Sequence, residues 1–375
     1  SDDPAVRDRP PALEYHNFGY TLAGPLKKDR LLFFWSQEWR DIERAPTDRA
    51  ATVPDPAWLT DPASPQYVPP AERDPNAVAL LAAWPAPNTG TGQYRSSQPN
   101  PQRTRQEVLR LDWTIGARWR LMARYTHDLS RTTEAGGLFF GTAIPDLART
   151  TTEVPGHLFV AQLTTALGSR TLNELSLQVS GNAIESEYGE GVRNRRDAYS
   201  LSIPELFPEN RGGLIPTVAI AGLSPVGASQ LFANRYRNYT VADSLSHQSG
   251  GHTLKAGLLV AFEEKDERST SATQGSFTFA AGGGRTAFQN FLTGNAGSLC
   301  GASCAYAEPE SEVFSQLRYQ RYELFMQDSW RARPGGNHSS SLNTKKRTLC
   351  SECSTSISAA RFGTERKRCN GPPDS

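Results

Sequence analysis

The sequence predicts an all-β chain, specifically a partial antiparallel transmembrane β-barrel of about nine strands. Three observations carry that expectation. Apolar and polar residues alternate with a period of two, the period of a pleated strand whose successive side chains point to opposite faces. The turns inside each pair of alternating segments are a few residues long. The connections between pairs are long and rich in Gly, Pro and Asn.

The first pair runs from Phe18, Tyr20 and Leu22 through Gly24-Pro25-Leu26-Lys27-Lys28-Asp29 to Leu31, Phe33 and Trp35 against Ser36, Glu38 and Arg40. The second is the cleanest. Leu109, Leu111, Trp113 and Ile115 alternate with Arg110, Asp112 and Thr114; after Gly116-Ala117, Trp119, Leu121, Ala123 and Tyr125 alternate with Arg118, Arg120, Arg124 and Asp128. Only Met122 is out of step. A tight turn between two such segments makes a β-hairpin. In the third pair, Phe159, Ala161 and Leu163 lead through Gly168-Ser169-Arg170 to Leu175, Leu177 and Val179. In the fourth, Tyr239, Val241 and Leu245 lead through Ser249-Gly250-Gly251 to Leu254, Ala256, Leu258, Val260 and Phe262, with Asp243 interrupting its apolar row. A ninth strand lies around Tyr319–Arg331.

Between pairs the chain wanders through 41–106, 129–156, 181–236 and 264–317, including Trp84-Pro85-Ala86-Pro87-Asn88 and Gly282-Gly283-Gly284. Successive long loops are foreign to sandwiches and propellers. Short turns on one rim and long loops on the other suit an outer-membrane barrel, as does an apolar row interleaved with charge. On this reading Leu109, Leu111, Trp113, Trp119, Leu121 and Tyr125 face lipid. Arg110, Asp112, Arg118, Arg120, Arg124 and Asp128 face the lumen, where the arginines pair with Asp112 and Asp128. Aromatic residues near strand ends suit interfacial girdles.

Composition removes other classes. There are 40 Lys+Arg against 39 Asp+Glu, a formal net charge of +1, which gives no electrostatic case for nucleic acid. The 31 Gly and 26 Pro speak for many turns and few long helices. No run approaches the ~18 apolar residues of a membrane-spanning helix. The chain opens on Ser1 without a signal peptide, the expectation for a processed chain or a fragment.

Several segments resemble Oar-like TonB-dependent receptors. They are Phe18-Gly19-Tyr20-Thr21-Leu22-Ala23-Gly24-Pro25-Leu26-Lys27-Lys28-Asp29-Arg30-Leu31-Leu32-Phe33-Phe34, the stretch from Ala79 to Trp84-Pro85-Ala86-Pro87-Asn88, Arg110-Leu111-Asp112-Trp113, Asn173-Glu174-Leu175, Gly250-Gly251-His252-Thr253-Leu254-Lys255-Ala256-Gly257, Gly275-Ser276-Phe277-Thr278-Phe279, and Tyr322-Glu323-Leu324-Phe325-Met326-Gln327-Asp328-Ser329-Trp330-Arg331. Their order and spacing agree from about residue 14 to 334. The resemblance implies an outer-membrane barrel of 22 strands in a Gram-negative bacterium, plugged by an N-terminal domain and energised by a TonB complex. That complex is expected only for a full-length receptor, since this sequence shows neither plug nor TonB-contacting segment. Partners are then outer-membrane lipid and an unknown solute. A surface adhesion or scaffold barrel, and a soluble secreted carbohydrate-binding β-protein, are the rival readings.

No catalytic constellation is present: neither HExxH, nor Gly-x-Ser-x-Gly, nor a phosphate loop, so no enzyme activity and no cofactor are expected. His127, His157, His247 and His252 are expected to be solvated at strand ends. Glu185, Glu187 and Glu190 form an acidic loop, and Arg193-Asn194-Arg195-Arg196 a short basic one. Cys350-Ser-Glu-Cys353 has knuckle spacing but no second pair, so no metal site is expected. Cys300 and Cys304 could close a small disulfide ring at the cell surface. Residues 1–334 are read as barrel. Beyond Pro334 the alternation stops, and 335–375 read as a disordered or frameshift-derived tail.

Overall fold

A computed structural model describes residues 13–44, 47–137, 144–207, 213–228, 231–269, 273–295, 304–309, 313–331 and 349–350. Fifteen strands lie among them: β1 (Leu13–Lys27), β2 (Leu31–Arg44), β3 (Thr47–Thr52), β4 (Gln93–Gln98), β5 (Gln102–Thr114), β6 (Trp119–Glu134), β7 (Thr150–Ala166), β8 (Thr171–Tyr188), β9 (Thr217–Ile220), β10 (Phe232–Ser249), β11 (His252–Ser269), β12 (Ser276–Phe279), β13 (Ala305–Ala307), β14 (Val313–Trp330) and β15 (Leu349–Cys350). One sheet takes the order β1-β2-β5-β6-β7-β8-β10-β11-β14-β15. It is antiparallel throughout, and sequence neighbours lie side by side. This is an all-β meander of nine long strands plus a two-residue edge piece.

Each hairpin turn follows from local chemistry. Between β1 and β2, Arg30 N–H donates to Lys27 O at 3.1 Å, and Asp29 takes φ +58, a left-handed conformation that Asp tolerates better than most residues. Between β10 and β11, Gly250 sits at φ +59, where a Cβ is disfavoured.

The strands run further toward the long connections than alternation suggests. β5 begins at Gln102 and β6 continues to Glu134. Those extensions carry polar residues on both faces, so pairing persists where the amphipathic signal has ended. The strand whose apolar row Asp243 interrupts is present at full length, and Asn173 Nδ2 donates to Asp243 Oδ1 at 2.8 Å. A hydrogen-bonded carboxylate is easier to hold in an apolar row than a bare one.

The long connections are folded. Short helices α1 (Ala57–Thr60), α2 (Pro75–Leu80), α3 (Pro145–Ala148) and α4 (Ala287–Leu292) join two small sheets, β3-β4 and β13-β12-β9. The buried apolar cluster of the described residues is built from these segments and not from the wall: Val53, Leu80, Trp84, Leu147, Ile215, Val218, Phe279, Phe288, Phe291 and Leu292 belong to it. The connections read as loops therefore pack into a cap at the long-connection rim.

Of the tail, only Leu349 and Cys350 lie among the described residues, opposite Tyr322 and Arg321 of β14. Among the described residues no helix is long and apolar enough to cross a membrane.

Candidate functional site

In an antiparallel pair, directly opposed residues share a face. The register can therefore be read straight across the sheet. One row joins Leu22, Trp35, Leu109, Tyr125, Phe159, Val179, Tyr239, Phe262 and Gln320. The next, toward the short turns, joins Gly24, Phe33, Leu111, Ala123, Ala161, Leu177, Val241, Val260 and Tyr322. A third includes Leu31, Trp113, Leu121, Leu163, Leu175, Leu258 and Leu324, broken by Asp243 and ending on β1 at Lys27. Three apolar rows thus cross nine strands on one face. Trp119 continues this face one row lower, opposite Thr165.

The apolar band is oblique to the rows. At the β1–β2 edge it climbs to Phe18 and Trp39, whose rings stack at 5.4 Å; on β14 it descends to Met326 and Trp330. A slab of constant height crosses tilted strands in this slanting manner, and barrel strands tilt by roughly 35–45°.

On the same face, toward the cap, the rows turn ionic. Arg105 pairs with Glu107, Arg131 with Glu153 at 3.6 Å, Arg235 with Glu185 at 2.8 Å and Arg318 with Asp266 at 2.9 Å. Here lie the histidines expected to be merely solvated, and each is partnered. His127 Nδ1 is 2.7 Å from Glu107 Oε2, and His157 Nδ1 is 2.8 Å from the Tyr125 hydroxyl. Near the other rim, His247 meets the Thr171 hydroxyl and His252 meets Asp328, each at 2.8 Å. Cross-strand neighbours supply partners that a single strand's sequence does not display. Among the described residues no cluster could hold a metal ion.

The opposite face carries Arg110, Asp112, Arg120, Arg124 and Asp128. Arg118 lies in the turn before β6. Arg110 clamps Asp112 through Nε at 2.7 Å and Nη2 at 2.8 Å. Asp128 does not pair with an arginine among the described residues. It lies opposite Gln106 and Gly156, and its carboxylate occupies the space a Cβ at Gly156 would need. Two hollows open on this face. One, about 490 Å³, is lined by Arg110, Asp112, Arg120, Gln162 and Thr164 among others; the second, about 460 Å³, includes Glu174, Ser176 and Glu323.

Above the wall, the cap is fixed by buried aromatics and capped helices. Asp74 accepts from Ala77 N–H at 3.0 Å and so starts α2, with Pro75 at its first position. Thr286 and Gln289 form a reciprocal capping box on α4. Asp74 N–H donates to Leu292 O at 2.7 Å and joins the two helices. Trp84 packs edge-on to Phe291 at 5.8 Å and donates Nε1–H to Ser224 O at 2.9 Å. Asn88, which ends the Trp84–Asn88 element, exchanges two hydrogen bonds with the backbone of Arg95, at 2.8 and 2.7 Å. Burial, and then the hydrogen bond to Glu308, hold the Tyr306 hydroxyl above the usual tyrosine range. Arg196 of the basic loop pairs with Glu205 at 3.2 Å. Cys304 is buried in the cap and disulfide-bonded, while Cys300 lies outside the described residues.

An apolar belt on one face, charge on the other and a folded cap at one rim describe an outer-membrane wall. Residues 3–335 match the family described as an outer membrane beta barrel domain. The chain belongs to that family. The outer membrane beta barrel domain accounts for nearly all of the nine-strand meander and the cap built on it, and it points to the outer membrane. Among solved structures, the outer membrane transporter YddB from Escherichia coli is similar at TM-score 0.45 and 10% identity, over 85% of this chain and 32% of that one. The chain thus spans about a third of that transporter's length. No curated protein matches.

Proposed function

We propose that the chain is part of the wall of an Oar-like, TonB-dependent receptor that takes a solute across the outer membrane of a Gram-negative bacterium, with no catalytic chemistry of its own. The two-faced register carries this reading. The face bearing Leu109, Trp113, Leu121 and Tyr125 meets lipid, and the face bearing Arg110, Asp112, Arg120 and Arg124 meets the lumen. In such a bilayer every strand edge needs a partner. β1 is one edge of the sheet, so the reading requires further strands from the rest of a receptor. The solute enters from the cap side, and the TonB complex acts through a plug domain.

The flanking DNA tests the proposal. Upstream it should encode a signal peptide and a plug with a TonB-contacting segment. Beyond the codon for Pro334, another frame should restore period-two strands. If neither appears, the truncated-receptor reading is wrong, and a surface adhesion or scaffold barrel presenting its folded cap replaces it.

A further inference from the structure

The face assigned to the lumen sets like charges side by side. Arg110 of β5 lies directly across from Arg124 of β6, and Arg120 lies on the same face opposite Thr114. Like charges directly opposed in an antiparallel pair are destabilising. Asp112 neutralises only Arg110. The Arg120 and Arg124 side chains make no ion pair with any described residue. No acid lies directly opposite them: β7 places Thr164 opposite Arg120 and Val160 opposite Arg124, while β2 places Phe34 opposite Arg110. Arg110 and Arg120 line the 490 Å³ hollow beside this patch together with Lys28, Arg30, Asp29 and Asp112, and Arg124 lies outside it. Further along the same face the glutamates of the second hollow are paired, Glu174 with Lys255 at 3.8 Å and Glu323 with Arg321 at 3.3 Å.

We propose that the basic patch between β5 and β6, formed by Arg110, Arg120 and Arg124, binds an anionic group, a carboxylate or phosphate carried by a small solute. Arg120 and Arg124 act as its ligands, and Arg110 is held beside them by Asp112. A planar guanidinium presents a fork of N–H donors that matches both oxyanions, and an anion between Arg110 and Arg124 relieves their repulsion. This inference rests on the lumen reading, and it narrows the solute class to anions.

The test is calorimetric titration of the full chain in neutral detergent micelles with inorganic phosphate and, separately, with citrate at low salt. Saturable binding is expected. Arg120→Gln and Arg124→Gln should each weaken it about tenfold, the loss of one charge-assisted hydrogen bond. Arg103→Gln removes the same charge from the other face of the same hairpin and should leave binding unchanged. An unmodified chain that binds neither anion, or an Arg103→Gln variant that loses as much as the others, overturns the proposal. If a Gln variant loses its strand signal in far-ultraviolet circular dichroism, Arg120→Lys decides. It keeps the charge and loses the fork, so weaker binding supports the site and unchanged binding overturns it. A spin label at Arg124→Cys reports the lumen reading separately. Contact with lipid-dissolved oxygen there would defeat the uptake reading whatever the titration shows, so the two can fail independently.

Discussion

Leu121→Arg is expected to destabilise the wall by about 2–4 kcal/mol, the cost of a cationic side chain on a barrel's lipid face near the bilayer midplane. Leu121 sits in the third apolar row, with Trp113 opposite it on β5 and Leu163 on β7. An arginine there is surrounded by carbon on both sides and has no acid directly opposite it on either neighbouring strand. The neighbouring Met122→Arg points to the polar face, opposite Asp112 and Gln162, and should cost far less. Urea unfolding of both variants from lipid vesicles measures the contrast. Equal losses would mean that the two faces do not differ in environment.

The second large effect is expected in the cap. Phe291→Ala should cost about 3–5 kcal/mol, the range for removing a large aromatic from a packed core. Phe291 is 2% exposed and touches three aromatic rings: Phe279 at 5.5 Å, Trp84 at 5.8 Å and Phe288 at 6.2 Å. Losing it takes from α4 the ring that meets both β12 and Trp84. The wall makes its own hydrogen bonds, so the loss should be confined to the cap. Fluorescence of Trp58 and Trp84 should report a lower cap melting temperature, while the strand signal in circular dichroism melts where it did. A cap that melts unchanged would show that this cluster does not hold it together.

These two sites differ in how they could be read from the sequence. Leu121 is legible because a wall strand is amphipathic at period two and its turn partner lies a few residues away. The cap is a sum of distant contacts. β9 and β12 are four residues each, pair in parallel, and are separated by two long strands of the wall. Helices of four to six residues are too short to show a helical period. Local signals were nonetheless present: Asp74-Pro75 is an N-cap followed by a first-turn proline, and Thr286-x-x-Gln289 is a capping box. The ionic rows above the belt were obscured for another reason. His127 looks solvated on its own strand and meets Glu107 only once β5 lies beside β6. The same holds for the arginines of the polar face. Their alternation is visible in the sequence, whereas the failure of Asp128 to neutralise any of them depends on its place opposite Gly156.

The central claim is that one face of β5 and β6 meets hydrocarbon and the other meets water. A nitroxide scan over residues 109–113 and 121–125, made in the chain with its cysteines replaced by serine and reconstituted in lipid vesicles, tests it directly. Collision with lipid-dissolved oxygen should peak at 109, 111, 113, 121 and 125, and collision with a water-soluble nickel chelate at 110, 112 and 124, the two profiles alternating out of phase. Profiles that rise and fall together, or that show the arginine positions in lipid, would contradict the account.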